Sequence, residues 1–153
     1  MGSDDEPSQV QPGERARSLL AVESLLRMQR IAVDHFAGDD LETITVLLTV
    51  VAGSVPLSQH DDEALRALEE GPLPEALFRP VSGRGVAASC GLPRETVRRR
   101  LEQLVAAGRI KRDERGYHLV FDTMSRNRNL EFARALTREL EAAPRRLARF
   151  DPP

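Results

Sequence analysis

Among 153 residues the chain has a single cysteine, Cys90, a single lysine, Lys111, one tyrosine and no tryptophan. One cysteine cannot close an intramolecular disulfide, which excludes the small secreted domains stapled by such bridges. The chain has no positively charged start followed by an apolar stretch, as a secretory signal requires, so a cytoplasmic location is expected. Its longest apolar run, residues 41–55, is interrupted by Glu42 and Gly53 and ended by Pro56. About 20 apolar residues are needed to cross a bilayer, so no membrane association is expected.

Chemistry is equally sparse. His35, His60 and His118 are scattered, with no His/Cys/Asp spacing suited to a metal. Asp34 and His35 are neighbours, but successive residues on a helix point different ways, and neither a nucleophile nor a glycine-rich phosphate loop accompanies them. The expectation is therefore no catalytic residue, no metal, no cofactor and no enzyme. With 41% hydrophobic, 30% charged and 4% aromatic residues, the composition suits a helix-rich globular protein.

What is present is a charge asymmetry hidden by the formal net charge of -2. Residues 1–78 carry 5 basic and 15 acidic side chains, residues 79–115 carry 10 and 4, and residues 116–153 carry 7 and 5. The acidic block suits DNA poorly and is expected to face away from it, free to pair subunits or to hold a small-molecule or protein effector at its helices.

Residues 1–13 are acidic, lack periodicity and read as a flexible tail. From Glu14 to Ala37, Leu19, Val22, Leu26, Val33 and Phe36 form a helical stripe, widened by Leu20, Leu25, Met28 and Ile31 beyond what one neighbour covers, which points to a dimer contact. Asp39 and Asp40 can cap Leu41–Val55, whose threonines would also fit a strand but whose length favours a buried helix. Gln59–Glu70 reads as a short amphipathic helix, and Pro72, Pro74 and Pro80 as a stiff connector. Ser125 can cap a last helix carrying Leu130, Phe132, Ala133, Leu136 and Leu140, expected to finish before Pro144. The division is thus a tail (1–13), an N-terminal helical region (14–78), a central unit (79–121) and a C-terminal helix with its tail (122–153).

The central unit is the informative one. Ser82 can cap a short helix with Val86, Ala87 and Cys90 on one face, Cys90 being a packed thiol rather than a redox group. Gly91 supplies a left-handed turn, Leu92 a plug between two helices, and Pro93 a preset first turn. Val97, Leu101, Leu104 and Val105 mark the buried side of the next helix, leaving Glu95 and Arg99 pointing outward, flanked by Thr96 and Arg98, with Arg94 at the exposed end. Gly108 stops this helix. Ile110–Arg112 and Tyr117–Phe121 can pair as a ribbon across Asp113–Gly116.

This ordered set, Ala87, Gly91, Leu92, Thr96, Val97, Arg98, Leu101, Leu104, Gly108, Ile110 and Gly116, resembles the winged helix-turn-helix domain of bacterial transcription regulators of the GntR, IclR and MarR kind. The likeness covers about a quarter of the chain. It implies a mainly α fold with a small two-stranded wing, flanked by N- and C-terminal helices. It also implies binding to double-stranded DNA as a homodimer, with helix Arg94–Ala107 in the major groove. Base edges would meet Arg94, Glu95, Thr96, Arg98 and Arg99, with Glu95 accepting from cytosine or steering Arg99. Arg84, Arg109, Lys111, Arg112, Arg115 and His118 would touch backbone or neighbouring groove. The competing reading is a winged-helix module that docks a protein without reading DNA.

Overall fold

The computed structural model describes residues 11–55, 66, 78–120 and 127–150. The chain is mainly helical: among the described residues it has α1 (Glu14–His35), α2 (Leu41–Ser54), α3 (Gly83–Cys90), α4 (Arg94–Ala106), strands β1 (Ile110–Asp113) and β2 (Gly116–Leu119), then α5 (Asn127–Leu147) and a short 3-10 turn, Ala148–Phe150. The expected Gln59–Glu70 helix, its proline connector and the Ser125 cap lie outside the described residues, apart from Pro80 and a helical Arg66.

The apolar run with its β-branched threonines is a helix. Asp40 caps it, accepting from the Thr43 N–H at 2.8 Å and from the Thr43 hydroxyl at 2.8 Å. Thr45 and Thr49 donate their hydroxyls back to the carbonyls of Leu41 and Thr45, each at 2.7 Å, so their polar atoms are satisfied without leaving the helix. α2 then contributes Val46, Leu47 and Val50 to one apolar core shared with Val86 and Ala87 of α3, Val97, Leu101 and Leu104 of α4, Ile110 of β1, and Tyr117 and Leu119 of β2. The core of the central unit is therefore completed by a helix from the acidic block.

Strands β1 and β2 are antiparallel, with Ile110 opposite Leu119 and Asp113 opposite Gly116. The Asp113 carboxylate shapes the turn by accepting from the Arg115 N–H at 2.7 Å and the Gly116 N–H at 3.1 Å. A third edge joins them: the N–H groups of Val81 and Tyr117 each donate to the other's carbonyl at 2.9 Å. Gly116 makes that approach feasible. It sits at φ +141°, and a Cβ there would stand 2.6 Å from the Val81 carbonyl oxygen.

α1 packs chiefly on α5, from the other end of the chain. At their joint with the core, His35 stacks on Phe132 with centroids 4.5 Å apart, Phe36 meets both rings edge-on, and Arg109 lies 5.3 Å over Phe36. His35 Nε2 is 2.9 Å from Asn129 Oδ1. The expectation that the last helix stops before Pro144 is wrong: α5 runs on to Leu147. Pro144 removes only the N–H that would reach Leu140, and both residues are exposed, so water can serve that carbonyl. Beyond it Arg146 donates to Glu139 and, at 3.0 Å, to the Ser24 hydroxyl, which ties the last turn to α1.

Candidate nucleic-acid interface

The corner between α3 and α4 is set by local chemistry. Ser82 accepts from the Gly85 N–H at 3.0 Å and starts α3. Gly91 ends it at φ +70°, its N–H donating to the Ala87 carbonyl at 3.1 Å, a left-handed turn that a side chain would resist. Leu92 and Cys90 are half-buried against the core, and Pro93 leads directly into α4. With Val97, Leu101 and Leu104 out of water, the rest of α4 is committed by geometry: Arg94, Glu95, Arg98, Arg99 and Glu102 are exposed and Thr96 is half-buried.

Exposure alone does not make these groups equivalent. Arg98 is clamped: its guanidinium reaches Glu95 at 2.5 Å and Glu102 at 2.6 Å, three residues before and four after. The hydrogen bond to Glu95, then the charge of Glu102, raises its affinity for the proton, while the same bond holds the Glu95 carboxyl below its ordinary value. Glu95 therefore forms its ion pair with Arg98 at i+3 and not with Arg99 at i+4. Among the described residues, Arg94 and Arg99 have no ion-pair partner, although the charge of Arg99 also lowers the carboxyls of Asp40 and Glu95.

Beside α4, the hairpin exposes Lys111, Arg112 and Arg115. Arg112 stands 5.5 Å over the Tyr117 ring, and Arg115 Nε is 3.7 Å from Asp113. Arg84 is exposed in the first turn of α3.

Two predicted residues are spent within the chain. Arg109 pairs with Asp39 at the joint with α1, and both are largely covered. His118 places Nε2 2.8 Å from Asp113 Oδ1, outside good hydrogen-bond geometry. This contact, followed by the Arg115 and Gly116 amides, keeps the Asp113 carboxyl below its ordinary value. Neither side chain is as free for a phosphate as its place in the sequence implied.

One charged residue of α4 was missed altogether. Arg100 crosses to α2, reaching Asp40 at 2.5 Å and Glu42 at 2.7 Å, with its own side chain only 15% exposed. The signal was available: Arg100 lies three residues after Val97 and one before Leu101, beside the buried seam rather than on the outer face. These pairs also bring part of the acidic block against the basic unit. Asp39, Asp40 and Glu42 lie against α4 and the loop after it because α2 is a wall of the same core.

Among the described residues, no cluster of three or more His, Cys, Asp or Glu is placed to hold a metal, and no helix is long and apolar enough to cross a membrane. Comparison with models of protein families, with curated proteins and with solved structures finds no match for the chain.

Proposed function

We propose that this chain reads double-stranded DNA as a winged helix-turn-helix regulator, inserting α4 into the major groove with the β1–β2 hairpin as its wing. The observation that carries the reading is the state of the arginines on α4. Arg94 and Arg99 stand unengaged by carboxylates among the described residues, on a helix whose opposite side is locked into the core, next to a hairpin bearing Lys111, Arg112 and Arg115. A rigid rod with free guanidinium groups suits guanine, which accepts two hydrogen bonds at O6 and N7, a contact worth roughly 1–3 kcal/mol of discrimination. Arg99 is assigned the base-reading role. Arg98, held between Glu95 and Glu102, must give up those partners before it can reach a base, and is the weaker reader. Arg84, Lys111, Arg112 and Arg115 supply phosphate contacts that set register without choosing sequence.

Fluorescence anisotropy with duplexes selected from a random pool tests this. Binding is expected to weaken as salt rises, with a log-log slope of about -0.9 per phosphate neutralised. Arg99→Ala should remove preference for the selected sequence while keeping helicity, and Arg98→Ala should reduce it less. Lack of duplex binding, or selection unchanged by Arg99→Ala, would overturn the assignment. The mixed-sign row Glu95, Arg98 and Glu102 favours the second reading, a charged protein-docking face. That reading gains if no duplex is bound.

A further inference from the structure

Leu19, Val22, Leu26 and Val33 are 72%, 54%, 57% and 39% exposed, with Leu25 beside them at 61%. At 100° per residue the first four lie within about 40° of the direction of Leu26. The less exposed residues of α1, Leu20, Ser24, Met28 and Ile31, occupy the other side, and the principal neighbour of the helix is α5. A row of large apolar side chains about 21 Å long is therefore left in water.

We propose that this row is covered by the same row of a second copy, with the two α1 helices antiparallel about a two-fold axis at Leu26. Spacing is the argument. Leu19 and Val33 are each seven residues from Leu26, and Val22 and Arg30 are each four. An axis through Leu26 therefore sets Leu26 on its own counterpart, Leu19 on the partner's Val33, and Val22 on the partner's Arg30. Such self-matching is what an isologous contact requires, and a segment of the same chain laid over the row would have no need of it.

Charge agrees with the register. The one charged member of the row, Arg30, lays its aliphatic stem on the partner's Val22 and brings its guanidinium beside the partner's Glu23. In its own chain Glu23 already binds Arg27 at 2.5 Å, so the edge of the contact becomes a short alternating charge ladder. The dimer does not depend on α4 reading DNA.

Sedimentation velocity of the full chain across the micromolar range tests it. A dimer is expected, and Leu26→Arg, which sets two like charges on the axis, should weaken association about a hundredfold or more with unchanged helicity. Leu140→Arg, an equally exposed position on α5, should leave the dimer intact. On a Cys90→Ser background, a short bis-maleimide should join Leu26→Cys to itself, and Leu19→Cys to Val33→Cys only when the two variants are mixed. This linking decides the question even if Leu26→Arg fails to fold. A wild-type monomer throughout, a dimer indifferent to Leu26→Arg, or a dimer in which Leu26→Cys does not link would each overturn the proposal.

Discussion

The unit formed by α2, α3, α4 and the hairpin and the pair formed by α1 and α5 are held together by different physics. In the first, Val46, Val50, Val86, Val97, Leu101, Leu104 and Ile110 are all at most 2% exposed. In the second, Ser24 and Ala32 are the buried residues of α1, and no residue of α5 from Arg128 onward is buried. Close packing leaves the first unit one arrangement, which is what the proposed base reading by Arg99 requires. Aromatic stacking, hydrogen bonds from Arg128 to the His35 carbonyl and from Arg146 to Ser24, and half-covered leucines join the second pair, and they leave apolar surface for another partner. The comparison teaches that the precise part of this molecule is the part already finished as a monomer.

The comparison is broken most directly at its best-packed position. Leu101→Ala deletes a side chain with no exposed surface and should cost about 2–5 kcal/mol, read by urea unfolding followed by circular dichroism. A loss below 1 kcal/mol, roughly the cost of a mutation away from the core, would mean that the unit is not packed as described.

Next is the third edge of the sheet. Gly116→Ala must adopt a strained positive φ and displace the Val81 carbonyl, at a cost of about 1–3 kcal/mol. Faster amide exchange at Val81 and Tyr117, with α4 unaffected, would locate the damage. Protection as in the wild type would show that the close approach is not needed.

A cap should matter less. Asp40→Ala is expected to cost roughly 1 kcal/mol, within the 0.5–2 range for such caps. Hydrogen bonds from the Thr43 amide and hydroxyl hold the Asp40 carboxyl below its ordinary value of 3.8. A depressed carboxyl gives stability that is fully present above its unfolded value and is lost as the pH falls toward and through the lower folded value. Stability of the wild type should thus decline below about pH 4 more steeply than that of Asp40→Ala. Parallel curves in urea titrations would remove this contribution.

The smallest effect belongs to the looser pair. Leu140→Ala, at a site 57% exposed, should change stability by no more than about 0.5 kcal/mol. A cost like that of Leu101→Ala would erase the distinction between the two regions.

Much of the central unit could be read from residue order. Ser82, Gly91, Pro93 and Gly108 are local signals whose meaning depends on φ, on a missing N–H or on a hydroxyl three residues from an amide, and the structure uses Ser82 and Gly91 in those ways. Val97, Leu101 and Leu104 likewise declare the buried side of α4 by spacing alone. The partners of charged groups were not legible. Spacing sets Arg100 beside the buried seam, but nothing in the run Arg98, Arg99, Arg100 says that its carboxylates come from the start of α2, because that depends on a contact across 58 residues. The joining of Val81 to Tyr117, which completes the small sheet, was hidden for the same reason.

Sequence alone determined where the helices turn, which face of α4 is apolar and that α1 has more apolar surface than one neighbour can cover. Tertiary packing decided that α2 closes the core, that Asp39, Asp40 and Glu42 neutralise Arg109 and Arg100, and that Leu19, Val22, Leu26 and Val33 rather than Leu20, Met28 and Ile31 remain in water. Turns and periodicity are properties of neighbouring residues, whereas the choice between two apolar faces or two carboxylates belongs to whichever distant surface arrives first with a complementary shape.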